Sequence, residues 1–70
     1  MQRAIEIIKK RKEFHGERWS NFNRFGKQDQ ASGDEDGAKI YFDIAQSHAD
    51  ANGELDIIID LIEKEIANAS

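Results

Sequence analysis

Seventy residues with no cysteine, 39% hydrophobic and 34% charged, allow one small domain and exclude disulfide staples and thiolate metal sites. No apolar run approaches the roughly 20 residues of a membrane span, and the N-terminus lacks the unbroken apolar core of a signal peptide, so a cytoplasmic protein without a membrane partner is expected. The net charge of −4 weighs against a nucleic-acid binder as a whole, but it hides a division: Met1 to Lys27 carries eight Lys or Arg against three acids, and Ala38 to Ser70 two against seven.

The spacing predicts a first helix over about residues 2–25. Met1, Ala4, Ile8, Arg11, His15, Arg18, Phe22 and Phe25 follow alternating steps of three and four, with Ile5, Ile7, Phe14 and Trp19 widening the stripe. Gly26 can take the left-handed conformation that ends a helix, and Lys27 puts positive charge near the negative end of the dipole. Gly16 lies inside the helix at a cost of about 1 kcal/mol relative to alanine, which points to a close helix contact there or, as the alternative, a slight bend beside His15.

A loop over about residues 26–33 should follow. Ser32 stands three residues before Glu35, the spacing of a capping box, and Asp34, Glu35 and Asp36 suit the positive end of a helix dipole. A second helix is expected over about residues 34–68. Ala38, Tyr41, Ala45, His48, Asn52, Leu55, Ile59, Ile62, Ile66 and Ala69 keep the three-four alternation without a slip, with Ile44, Ala51 and Ile58 along one shoulder. Strands find no support, because the isoleucines between Asp56 and Ile62 are bracketed by acids at helical spacing.

A short connection favours antiparallel neighbours, so the expected fold is all-α: a helical hairpin forming one domain over residues 1–70. Folding about the break sets Phe22 and Phe25 near Tyr41, and Ile8 near Leu55. Each stripe is wider than one neighbour can cover, which predicts pairing of two hairpins into a homodimeric four-helix bundle. The self-association seam is assigned to Ile8, Phe22, Phe25, Tyr41, Leu55, Ile59, Ile62 and Ile66.

Between the apolar ends, Arg11, His15 and Arg18 of the first helix should face His48 and Asn52 of the second, forming a polar waist. Two histidines invite a divalent metal, with Glu13, Glu17 or Asp43 as a completing acid. Neither histidine belongs to a Glu-x-x-His or His-Glu-x-x-His arrangement, however, since Lys12 and Ala45 stand where an acid is needed. No metal or other cofactor is therefore expected, and the waist is read as a device that fixes register.

The basic run Lys9, Lys10, Arg11 and Lys12, followed by Arg18, Arg24 and Lys27 among Trp19, Phe22 and Phe25, raises a nucleic-acid alternative with Lys9, Lys10 and Lys12 as candidate phosphate contacts. The aromatics fall on the seam and the acidic helix is a nearer partner for the positive charge. Asp43, Asp50, Glu54, Asp60 and Glu63 could conversely present acid to a basic protein.

Enzyme chemistry has little footing: there is no Gly-rich phosphate loop, no nucleophile with a placed base, and the acids lack the spacing of helical magnesium sites. Gly53-Glu54-Leu55-Asp56 with its following Ile-rich turn resembles the Ser-Gln-Glu-Leu-Asp signature of small helical-hairpin aspartyl-phosphate phosphatases that act on response regulators. Glu54, Leu55 and Asp56 match, while Asn52 and Gly53 stand where that family has Ser and Gln. The resemblance covers three residues of 70 and implies, as a distant alternative, dephosphorylation of a regulator. The leading expectation is a small non-enzymatic regulatory or inhibitory protein that binds itself and an unidentified protein.

Overall fold

The computed structural model describes residues 2–69 as an antiparallel hairpin of two helices, α1 (Gln2–Ala31) and α2 (Glu35–Ala69). Among the described residues there is no strand. The Met1 position of the first seam lies outside the described residues, as do Ser70 and the side chain of Ala69.

Helix α1 continues through Gly26 instead of stopping there. The reason is tertiary: Gly26 is buried against the Phe42 ring, and a Cβ at this position would stand 2.6 Å from Phe42 Cε1. Termination falls to Gly33, whose φ of 88° is open to glycine at little cost. Asp34 N–H donates to Asp29 O at 2.8 Å and Gly33 N–H to Gln30 O at 3.2 Å, the paired bonds of a Schellman ending. The connection is therefore residues 32–34, shorter than the 26–33 loop expected from the spacing.

The capping box from Ser32 to Glu35 does not form. Ser32 Oγ donates back to Asp29 O at 3.0 Å, so it serves the end of α1. Asp34 starts α2: its carboxylate accepts from Gly37 N–H at 2.9 Å and its carbonyl from Ala38 N–H at 3.0 Å. Glu35 and Asp36 occupy the first turn, where the dipole favours carboxylates.

Facing residues set the register. Phe22 stacks on Tyr41 with centroids 6.1 Å apart and Phe25 lies 5.6 Å from the same ring. His15 meets His48 at mid-height, and Asn52 Nδ2 donates to Lys12 O at 3.1 Å. Ile8 and Leu55 line one shallow cavity nearer the open end.

Viewed as a seven-residue repeat, each helix turns two adjacent rows toward the other. The first row holds Ile5, Lys12, Trp19 and Gly26 in α1, and Ala38, Ala45, Asn52, Ile59 and Ile66 in α2. The second holds Ile8, His15 and Phe22, and Tyr41, His48, Leu55 and Ile62. Among the described residues every buried one, Ile5, Gly26, Ala38, Ala45 and Ile59, belongs to the first row, which also holds the exposed Trp19, whereas the second row is half-buried throughout. In α1 this seam is rotated by one residue from the spacing that ran through Ala4, Arg11, Arg18 and Phe25, because the rotation buries Ile5 and lets Gly26 receive Phe42. Gly16 makes no close contact; open space surrounds it.

Two helices side by side enclose little. The molecule measures 57 × 15 × 11 Å with a radius of gyration of 16.3 Å, against about 11 Å for a compact domain of this length. Its accessible surface is 5315 Å² at 8.0 kDa, where the scaling for compact monomers gives about 4450 Å².

Candidate functional site: the open apolar face

The half-buried second row continues onto a flank that no other element covers. From α1 this flank receives Ile7, Phe14 and Phe25; from α2 it receives Ile40, Ile44, Ala51, Ile58 and Leu61. In an antiparallel helix pair the flanks next to the second row lie on the same side, so these residues form one face spanning both helices. Ile7 and Ile40 are each 60% exposed, Leu61 57% and Ile58 42%. A shallow groove opens there between Ile7, Ile8, Lys10, Arg11, Phe14 and Leu55.

The opposite flank is polar. It carries Lys9, Gly16 and Asn23 from α1, and Ala49, Asp56 and Glu63 from α2; its one large apolar side chain, Phe42, is taken up against Gly26. Lys12 pairs with Asp56 across this side. The hairpin is thus amphipathic as a unit.

At the centre of the open face lie the histidines. His15 Nδ1 and His48 Nδ1 are 2.7 Å apart, so one ring donates and the other accepts. Aromatic neighbours hold the pair: Phe14 presents an edge contact to His15 at 5.3 Å and to His48 at 6.3 Å, while Phe22 stacks on His48 at 5.9 Å and 7°. Burial, the Arg11 guanidinium and the His48 ring together hold the pKa of His15 below its ordinary value.

The waist has different members from those expected. Arg11 and Arg18 are exposed, and their guanidinium carbons lie 4.5 and 5.1 Å from the Phe14 centroid. Lys12 stands in the seam instead, with His15, His48 and Asn52. Among the described residues no three His, Asp or Glu side chains gather to hold a metal, so Glu13, Glu17 and Asp43 do not complete the histidine pair.

Of the self-association seam, Ile8, Phe22, Tyr41, Leu55 and Ile62 lie in the half-open row, Ile59 is buried and Ile66 half-buried in the first row, and Phe25 is exposed on the open flank. The three lysines do not share a face. Lys9 is exposed toward the polar flank, Lys10 borders the apolar groove, and Lys12 is engaged by Asp56. Phe22 is occupied by Tyr41 and His48. Of the phosphatase-like triplet, Glu54 is exposed, Leu55 lies in the half-open row and Asp56 is paired with Lys12.

The sequence carried a signal for this face in the seven-residue spacing of Ile7 with Phe14 and of Ile44 with Ala51 and Ile58. Ile40 and Leu61 escaped it because the positions between them at the same spacing, Ser47 and Glu54, are polar. Among the described residues no helix is long and apolar enough to cross a membrane. Comparison with protein-family models, curated proteins and solved structures finds no match to this chain.

Proposed function

We propose that this chain acts by binding rather than by chemistry: a self-associating hairpin, two copies of which form a four-helix bundle, serving as a small regulatory or inhibitory protein. The observation that carries this reading is the division between the two rows: every buried residue among those described falls in one, while the other is half-open along its length. Apolar surface left open on one side of a molecule marks an interaction site. The hairpin exposes on the order of 850 Å² more surface than a compact monomer of its mass, comparable to the ~800 Å² that each partner contributes to a standard interface.

Molar mass by light scattering after size exclusion tests it. A dimer is expected at micromolar concentration, reduced to monomer by Ile58→Glu with helix content retained, and left unchanged by Lys39→Glu on the polar side of α2. A monomer at every concentration, or a dimer indifferent to Ile58→Glu, overturns the reading.

A further inference from the structure

We propose that the open face is covered by a second copy in one orientation, with α1 of each hairpin lying over α2 of the other and both connecting loops at the same end of the bundle. The proposal rests on the self-association reading above and specifies what that reading leaves open.

The edges of the face carry opposite charge. Along α1, Lys10 and Arg24 border it with Glu17 the acid between them, and Arg11 and Arg18 lie on the face itself in the row of Phe25, over the Phe14 ring. Along α2 the border holds Asp43, Asp50 and Glu54, with Lys64 the base among them, all exposed. Two hairpins related by a twofold axis can meet face to face in two ways. With the axis perpendicular to the helices, α1 lies over its own copy and the loops point to opposite ends. With the axis parallel to the helices, α1 lies over α2 of the partner and the loops come together. The first sets the basic edge against a basic edge and the acidic edge against an acidic edge; the second sets basic against acidic along both borders. Like charges brought together at a closing interface oppose it, while opposite charges steer and favour it.

Rotation about an axis parallel to the helices also leaves height along the bundle unchanged, so the register within one hairpin becomes the register between two. The Ile8 to Leu55 and Lys12 to Asn52 levels bracket Lys10 and Glu54, placing Lys10 beside Glu54 of the second copy. By the Phe22 to Tyr41 level, Arg24 stands about one helical turn from Asp43 of the second copy, within reach of a long side chain. Joining the loops also gathers Asp34, Glu35 and Asp36 of both copies, but these are exposed at the tip, where salt screens them.

The chain has no cysteine, so a single introduced thiol reports the arrangement. Ser32→Cys at the exposed loop and, separately, Lys64→Cys near the far end would each carry a nitroxide for pulsed dipolar spectroscopy, with molar mass measured on the same samples. Loops at one end predict a distance within about 30 Å for both labels, given an interaxial spacing of about 10 Å and two label arms. A separation approaching the 57 Å length of the molecule at either label overturns the orientation and leaves the dimer standing. A monomeric mass with no dipolar coupling overturns the dimer and the orientation together.

Discussion

The histidine pair is where single residues matter most. His15 Nδ1 stands 2.7 Å from the His48 ring, so a proton that charges His15 finds an imidazole there and no carboxylate. The charges around them offer no relief. From α1, Arg11, Lys12 and Arg18 are all basic, and from α2 the neighbours are the neutral Asn52 and the already engaged Asp56. Because the folded-state pKa of His15 is depressed, the unfolded chain takes up the proton first as pH falls. The stability linked to His15 is therefore complete above about 6.5, the ordinary histidine value, and is lost as pH falls from there through the lower folded-state pKa. Thermal melts followed by circular dichroism between pH 7.5 and 5.5 should show a falling midpoint, and His15→Gln should flatten that slope. An unchanged slope in the variant would remove the pair from the account. Gly26 illustrates the same scale from the backbone side: with Phe42 closing to within a forbidden distance of any Cβ, only glycine lets the ring settle there without a shift.

Within each helix, position in the repeat decides how much a side chain contributes. Ile57, Ile58 and Ile59 are consecutive and chemically identical, yet Ile59 is 8% exposed, Ile58 42% and Ile57 55%. Successive residues turn by about 100°, so three neighbours point into the seam, onto the open flank and toward solvent. Ile59→Ala should cost about 2 to 5 kcal/mol of unfolding free energy by chemical denaturation, and Ile57→Ala less than about 0.5 kcal/mol. Equal effects would mean that the seam is misassigned. Lys12 and Asp56 show the limit of charge on the same element: the pair crosses the seam, but with Asp56 59% exposed its contribution falls in the small range of surface ion pairs.

The whole molecule is long and thin. A 35-residue helix spans about 52 Å at 1.5 Å per residue, and its single neighbour covers only one side of it. Chains of this size that lack disulfides or metals draw stability from regular helix packing or from association. If association supplies it, folding is linked to concentration: each tenfold increase in protein should raise the melting midpoint by on the order of 5 °C. Calorimetry over a hundredfold range of concentration checks this. A midpoint independent of concentration would show that the hairpin stands alone and that its apolar face awaits a different occupant.

Helix as the only regular structure, two elements and their antiparallel pairing were written in the chain. Unbroken three-four spacing, the absence of proline and one Gly-rich break admit little else. The pairing of Phe22 with Tyr41 and the meeting of His15 with His48 followed from folding that pattern about the break. Tertiary structure decided the rest wherever two residues were equally able locally. Gly26 and Gly33 could each end α1; the Phe42 ring claimed the first for packing and left the second to turn the chain. Ser32 and Asp34 could each cap α2, and the Schellman ending at Gly33 gave the role to Asp34. Arg11 and Lys12 could each face the second helix, and a rotation of one residue that buries Ile5 brought Lys12 inward and laid Arg11 on Phe14. Local spacing defines a stripe only to within a residue or so on each side. Which edge of the stripe closes and which stays open depends on side-chain volumes from the other helix, and these meet only once the hairpin has formed.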